Sequence, residues 1–90
     1  MTSPLPDLVL YARPGCHLCD EAREAIEAVL AQRAAGGLPV PPLIERNIEA
    51  DEALHREFLE RIPVVELDGR RIELVVGLSR VRKLLAEVLD

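Results

Sequence analysis

The amino-acid sequence predicts a mixed α/β fold, a four-stranded mixed sheet flanked by three helices in the order β-α-β-α-β-β-α. A short apolar run at residues 8–12 is followed by apolar residues at helical spacing, which is typical of a strand that leads into a helix. Further on, Asp68-Gly69 separates two stretches rich in β-forming residues and predicts a β-hairpin. Ninety residues suffice for one modest core, so we expect a single domain over residues 1–90 with a flexible lead at residues 1–6.

The first strand is predicted over Leu8–Ala12, because this apolar run has turn-forming residues on both sides. A helix is predicted from His17 to about Ala34, and the pair Gly36-Gly37 ends it. The apolar positions that recur at helical spacing, and so predict its buried face, are Leu18, Ala22, Ala25, Ile26, Val29 and Leu30.

The rest of the chain supplies the other elements. The second strand is predicted over residues 43–48 and parallel to the first, since a helix connects the two. The hairpin strands are predicted over residues 63–67 and 70–76. Asp51 and Ser79 are predicted to cap the second and third helices. The positions on these two helices that are predicted to face the core are Leu54, Phe58, Leu59, Val81, Leu84, Leu85 and Val88.

The composition argues against several classes of function. The net charge is −5, and the acidic residues are spread along the chain, whereas nucleic-acid binding needs a clustered basic face. The apolar runs are too short to span a bilayer, and Met1–Pro6 has no features of a secretory signal. We therefore expect a cytoplasmic protein that binds neither nucleic acid nor membrane. We also expect a monomer, although the composition does not determine the oligomeric state.

Two cysteines, Cys16 and Cys19, lie three residues apart where the first strand leads into the first helix. A structural disulfide is unusual in a reducing compartment, and this pair closes a loop of only a few residues. The helix N-terminus supplies unpaired N–H groups and the positive end of the helix dipole, both of which favour a thiolate. We predict a working dithiol in which the exposed Cys16 is the nucleophile and the partly covered Cys19 is the resolving thiol.

A second motif, Arg61-Ile62-Pro63-Val64, opens the third strand. Proline at the start of a strand usually lies at a sheet edge. The alternative is a cis Ile62–Pro63 bond that faces the dithiol and leaves the backbone of Ile62 to pair with an extended substrate. The C-x-x-C spacing after the first strand of a β-α-β unit favours this alternative, because the arrangement is typical of thioredoxin-like proteins.

The chain resembles the glutaredoxins, and among them the short prokaryotic glutaredoxin-like proteins with a thioredoxin fold. The resemblance rests on Leu8–Cys19, Ile62–Val65 and Leu67–Gly69, and it extends from about Asp7 to Asp90. It implies dithiol–disulfide exchange, an N-terminal nucleophilic cysteine and a cis-proline. We expect no tightly bound cofactor. Glutathione or another low-molecular-weight thiol is the expected co-substrate, and a disulfide-containing protein or a small thiol is the expected substrate.

The residues that bind glutathione in the family are only partly matched here. Glutaredoxins usually carry Pro and Tyr between the cysteines, where this chain has His17 and Leu18. Arg13 matches the basic residue that the family offers to a glutathione carboxylate. Arg80 stands where the family has an acidic residue for the glutathione ammonium, so we predict weak glutathione dependence. The residues that we predict to contact substrate are Arg13, His17, Leu18, Ile62, Pro63, Gly77, Ser79 and Arg80.

Two other interpretations concern metals. His17 and His55 do not give the two cysteines the paired ligand spacing of a zinc finger, so we expect no metal site. His17 either tunes the thiolate or is an ordinary exposed residue. The alternative function, from a different class, is a non-catalytic thioredoxin-fold binding or carrier module that holds an iron–sulfur cluster.

Overall fold

The computed structural model describes residues 5–73 and 78–90. Its elements are β1 (Leu8–Ala12), α1 (His17–Ala35), β2 (Leu43–Asn47), a 3₁₀ turn (Ile48–Ala50), α2 (Glu52–Phe58), β3 (Val64–Leu67), β4 (Arg70–Ile72) and α3 (Leu78–Leu89). The strands form one sheet in the order β2-β1-β3-β4. β1 is parallel to β2 and antiparallel to β3, and β4 is antiparallel to β3. The predicted mixed sheet with three helices is therefore confirmed.

The hydrophobic core is almost entirely aliphatic and is centred on the two inner strands. β1 and β3 are buried along most of their length, because each has a neighbouring strand on both sides. β2 is an outer strand, and only Leu43 of its residues is even partly buried. The aromatic rings of Tyr11 and Phe58 stack with centroids 4.5 Å apart and join β1 to α2. The helix residues that complete the core are Cys19, Ala22, Ile26, Val29, Val81, Leu84 and Leu85.

Two local sequence signals produce the structures predicted from them. The side chain of Asp51 accepts hydrogen bonds from the backbone N–H groups of Ala53, at 2.8 Å, and Leu54, at 3.3 Å, and so caps α2. Asp68 and Gly69 have φ angles of 50° and 79°. Two consecutive residues at positive φ are what a tight hairpin between β3 and β4 requires.

Leu18 and Leu59 are exposed, at 48% and 41%, although they were predicted to face the core. Neighbouring helix residues point about 100° apart, and at the start of α1 Cys19 takes the inward position instead of Leu18. Leu59 follows the last residue of α2. The turn there bonds the N–H of Ile62 to the carbonyl of Phe58, and Ile62 is buried in place of Leu59.

Three element boundaries also differ from the prediction. Ser79 lies inside α3, which begins at Leu78, so it does not cap that helix. β2 ends at Asn47, because the side chain of Asn47 accepts a hydrogen bond from the N–H of Glu49 and starts the 3₁₀ turn. The described part of β4 ends at Ile72, and the rest of the predicted strand, residues 74–76, lies outside the described residues.

The C-terminal end of α1 contains a buried charge that the sequence did not reveal. Arg33 is only 7% exposed. Its Nε donates to the carbonyl of Pro39 at 2.8 Å, and its two terminal nitrogens donate to the carboxylate of Asp90. The Arg33 hydrogen bond lowers the pKa of Asp90 below its ordinary value. These contacts fix the chain reversal after α1 and the end of α3 to each other.

Candidate functional site

The two cysteines lie at the N-terminus of α1. Gly15, with φ at +76°, turns the chain after β1 into an extended Cys16. Cys16 is the N-cap of α1, and its Sγ accepts the N–H of Cys19 at 3.1 Å. The two residues are joined by a disulfide, with their Cα atoms 5.2 Å apart. The structure therefore holds a cysteine pair at the helix N-terminus, where N–H groups are available to a sulfur anion.

Access to the two sulfurs is unequal. Cys16 is half-buried, and Cys19 is fully buried in the core. Both are less accessible than the sequence suggested, because Cys19 occupies the inward face of α1 and Cys16 packs against the same core. A large molecule that approaches the pair meets Cys16 and not Cys19.

The segment around Pro63 lies beside the end of β1. The Ile62–Pro63 peptide bond is cis, and both residues are buried. Val64 pairs with Tyr11, next to the point where the chain leaves β1 for the cysteine loop. The N–H of Ile62 donates to the carbonyl of Phe58 at 3.0 Å. The expectation that the Ile62 backbone stays open to a substrate is therefore wrong for its N–H, which closes the turn after α2.

A cleft of about 320 Å³ opens beside the cysteine loop, between α1 and the end of β2. Arg23 bridges it, donating to Asp20 at 2.9 Å and to both carboxylate oxygens of Glu45, from Nε at 2.9 Å. The hydrogen bonds to Glu45 and then to Asp20 raise the pKa of Arg23 above its ordinary value. The residues that line the cleft are Ala12, Arg13, Pro14, Asp20, Arg23, Glu45 and Asn47.

This ion-pair cluster, Asp20–Arg23–Glu45, determines the charge beside the cysteine pair. Asp20 is in the first turn of α1, where a free carboxylate opposes a thiolate at Cys16. Arg23 pairs with both that carboxylate and the one from β2, so its single positive charge offsets one of the two negative charges. The Asp20–Arg23 spacing of three residues is a sequence signal for a helical ion pair. Glu45 is 22 residues from Arg23, so nothing in the local pattern predicts its part in the cluster.

The other predicted substrate residues fall into two groups. Arg13 is exposed in the cysteine loop, and His17 and Leu18 are exposed in the first turn of α1, between the two cysteines in the chain. Ser79 and Arg80 are exposed on α3, and Arg80 lines a different cleft, between β4 and α3. Gly77 lies outside the described residues.

Three other features of the described residues bear on function: possible metal ligands, long apolar helices and the cleft along α2. Along the described ranges 5–73 and 78–90, no group of three or more His, Cys, Asp or Glu side chains is arranged to hold a metal ion. In the same ranges, no helix has the length and apolar character needed to cross a membrane. A cleft of about 750 Å³ lies along α2 and contains neither cysteine. His55 is one of the residues that line that cleft.

The fold and the disulfide at the start of α1 define a thioredoxin-fold protein with a C-x-x-C pair. The family profile described as glutaredoxin-like domain (DUF836) matches residues 7–88. The chain belongs to this glutaredoxin-like family, and the resemblance seen in the sequence is confirmed. No curated protein matches the chain.

Solved structures agree with this assignment. The X-ray structure of protein XcR50 from X. campestris is 34% identical, with a TM-score of 0.69 over 89% of this chain and 96% of that one. The solution structure of Ne2328 from Nitrosomonas europaea is 22% identical, with a TM-score of 0.71 over 100% and 98% of the two chains. A point mutant of the thioredoxin-like protein BC3987 is 20% identical, with a TM-score of 0.53 over 92% and 99%. The last two support the fold alone.

Proposed function

We propose that the protein is a thiol–disulfide oxidoreductase in which Cys16 is the nucleophile and Cys19 is the resolving thiol. The observation that carries the proposal is the pairing of the two sulfurs at a helix N-terminus with only Cys16 at the surface. A structural disulfide needs no such difference in access. An exchange catalyst needs it, because the substrate must attach to one particular sulfur.

The proposed reaction transfers two electrons from the dithiol to a substrate disulfide. The Cys16 thiolate attacks one substrate sulfur, the substrate S–S bond breaks, and the leaving thiolate takes up a proton. Cys19 then loses its proton and attacks Cys16 Sγ. The mixed disulfide breaks, the second substrate thiolate leaves and is protonated, and the Cys16–Cys19 disulfide remains. The reverse sequence oxidises a substrate dithiol.

The helix N-terminus supports the first step by favouring the thiolate. An ordinary thiol is only about 3% ionised at pH 7, because its pKa is about 8.5. The N–H of Cys19 already points at Cys16 Sγ at 3.1 Å, and in the reduced protein a sulfur anion at the same place would accept that hydrogen bond. Arg23 offsets part of the negative charge of Asp20 and Glu45, which would otherwise oppose the thiolate more strongly.

The substrate contacts that we propose lie around the disulfide. Leu18, 48% exposed, offers an apolar contact to the chain that flanks a substrate cysteine. We propose that Arg13 offers a cation to a carboxylate and that His17, next to Cys16 in the chain, contacts the substrate. We propose that Ile62 and Pro63, which precede the Val64–Tyr11 pair at the end of β1, form a wall of the site. We propose that the protein acts as a monomer in the cytoplasm, where a dithiol of this kind is kept reduced.

The reductant is the second part of the proposal. Glutathione needs a cation for a carboxylate and an acidic group for its ammonium. Arg13 supplies the first, but Arg80 is a cation at the second position. A charge-assisted hydrogen bond contributes about 1.5–3 kcal/mol, so its absence weakens binding roughly tenfold to more than a hundredfold. We therefore propose a protein disulfide or another low-molecular-weight thiol as the natural partner, with glutathione a poor one.

Limited alkylation tests the assignment of the cysteines. The reduced protein is treated with substoichiometric iodoacetamide near pH 7, and the label is mapped by mass spectrometry. We expect label on Cys16, and the two single variants, Cys16→Ser and Cys19→Ser, give the intrinsic rate of each remaining thiol. In a disulfide-reduction assay, Cys19→Ser should accumulate a mixed disulfide on Cys16. Faster labelling of Cys19 would contradict the assignment.

A glutathione-coupled disulfide reduction assay tests the choice of reductant. Wild type should turn over slowly with glutathione, and Arg80→Asp should turn over faster. Robust wild-type turnover that Arg80→Asp lowers or leaves unchanged would refute weak glutathione dependence.

Purification without oxygen tests the alternative carrier function, because an iron–sulfur cluster absorbs visible light and a dithiol does not. A coloured protein without exchange activity would favour the carrier.

A further inference from the structure

A second cleft, of about 310 Å³, runs between β4 and α3. Two apolar and four charged side chains line it. The lining residues are Arg70, Ile72, Arg80, Lys83, Leu84 and Glu87. Neither cysteine nor Arg13 lines this cleft, and its Arg80 is the cation that we propose to weaken glutathione binding.

The cleft is positively charged in a protein that is negatively charged. Its lining has three cations and one carboxylate, a net charge of +2, whereas the whole chain carries −5. Glu87 accepts a hydrogen bond from Arg70 and lies 3.9 Å from the Nζ of Lys83, so it offsets these two cations in part. Arg80 forms no ion pair with any carboxylate in residues 5–73 and 78–90.

The cleft begins at the end of the sheet that carries the cysteine pair. β1 and β4 both run antiparallel to β3, so the two strands end on the same side. The cysteine loop follows the end of β1, and Ile72, which lines the cleft, is the last residue of β4. Arg70 and Glu87 lie farther along, because Arg70 is next to the hairpin turn. The cleft therefore leads away from the cysteine side of the molecule.

We infer that this cleft binds an acidic segment of the protein whose disulfide reacts at Cys16. The inference rests on the proposed function and names its substrate class. Guanidinium groups pair with carboxylates through two parallel hydrogen bonds, and Arg80 makes no such pair within residues 5–73 and 78–90. The three cations come from both elements that form the cleft, and two apolar side chains and one carboxylate line it with them. That arrangement suits a polypeptide with spaced Asp or Glu residues better than a compact multivalent anion.

The expected effect is one of rate and selectivity. An exposed ion pair changes binding by about 1.4- to 5-fold, and two such pairs act together here. Attraction of opposite charges also speeds encounter, and salt screens it. We expect the wild-type protein to reduce a disulfide with an acidic flanking segment about three to ten times faster, in kcat/KM, than the matched neutral disulfide.

The experiment uses two peptide disulfides that differ only in a flanking segment, Glu-rich in one and Gln-rich in the other. Each is reduced by the full-length wild-type protein, by Arg80→Gln/Lys83→Gln and by Arg82→Gln. The ratio of acidic to neutral rates within each protein cancels any change in basal activity. Arg82 is the matched control, because it is a neighbouring arginine of α3 that donates to Gln32 of α1 at 2.7 Å and lies outside the cleft.

We expect the ratio to fall to about one in Arg80→Gln/Lys83→Gln and in wild type at high salt, and to persist in Arg82→Gln. Equal rates for the two peptides in wild type would overturn the inference, as would an equal loss of preference in Arg82→Gln. Loss of the preference in millimolar inorganic phosphate at constant ionic strength would assign the cleft to a small anion instead. Reduction of a small uncharged disulfide distinguishes a failure of the cleft assignment from a failure of the proposed function. If wild type reduces it without preferring the acidic peptide, only the cleft assignment is wrong, and if wild type does not reduce it, the proposed function is wrong.

Discussion

Each end of α1 carries an ion pair between an arginine and a carboxylate, and the two ion pairs have different effects. At the N-terminus, Arg23 pairs with Asp20 and Glu45 at the surface, beside the two cysteines. At the C-terminal end, the largely buried Arg33 pairs with Asp90, whose side chain is 32% exposed. The side chain of Arg23 is 31% exposed and that of Arg33 is 8% exposed. Solvent access, more than the identity of the partners, therefore decides what an ion pair does in this protein.

The physical reason is the cost of an unpaired charge in each setting. Water replaces a lost partner at the surface, so an exposed pair contributes at most about 1 kcal/mol to stability. A buried charge that loses its partner has no such replacement, and the loss is several times larger. The N-terminal cluster is therefore suited to setting the charge near Cys16, and the C-terminal pair is suited to holding the fold together.

The largest expected difference is in stability. Arg33→Ala should lower the free energy of unfolding by about 2–4 kcal/mol, because it replaces a buried side chain by a cavity and leaves the Pro39 carbonyl without its donor. Arg23→Ala, the matched change at the other end of the same helix, should lower it by less than about 1 kcal/mol. Urea unfolding of both variants measures this difference. Equal losses of unfolding free energy in the two variants would contradict the difference between the two ion pairs.

The C-terminal pair should also give the stability a dependence on pH. The pKa of Asp90 is lowered in the folded protein by Arg33, so its contribution is present above the unfolded value, about 3.9. The contribution disappears as the pH falls through the lower folded value. Wild type should therefore lose more stability than Asp90→Asn between about pH 5 and pH 2. Asp7→Asn, at an exposed position outside any described ion pair, is the control, and a similar flattening there would contradict the assignment.

The smallest expected effect is on cysteine reactivity. Arg23→Gln releases the carboxylates of Asp20 and Glu45, which then oppose the Cys16 thiolate. We expect alkylation of Cys16 below pH 7 to slow by about two- to threefold, since the charges are at the surface and screened by salt. The additional change Glu45→Gln should restore part of the rate. An unchanged rate in Arg23→Gln would mean that the cluster only joins α1 to β2.

The features that the sequence predicts correctly are local ones. The apolar run of β1, the glycines after α1, the cap at Asp51 and the Asp68-Gly69 turn each act within a few residues. The position of the cysteine pair at a strand–helix junction is local in the same sense, and it is what made the family recognisable.

The features that the sequence does not predict depend on residues far apart in the chain. Arg33 and Asp90 are 57 positions apart, and Glu45 meets Arg23 from the next strand. The exposure of Leu18 depends on which of two adjacent helix residues the sheet covers. The hydrogen bond that occupies the N–H of Ile62 depends on how α2 ends. In each case the feature depends on a residue or element that comes into contact only when the chain folds.

The stacking of Tyr11 on Phe58 has a practical consequence for optical spectroscopy. These are the single tyrosine and the single phenylalanine of the chain, which has no tryptophan. Their rings are in contact in the core, with Tyr11 at 8% exposure next to the last residue of β1. All tyrosine emission and nearly all aromatic circular dichroism therefore come from one packed site between β1 and α2. The protein carries its own single-site reporter of core packing, and no label needs to be introduced to follow its unfolding.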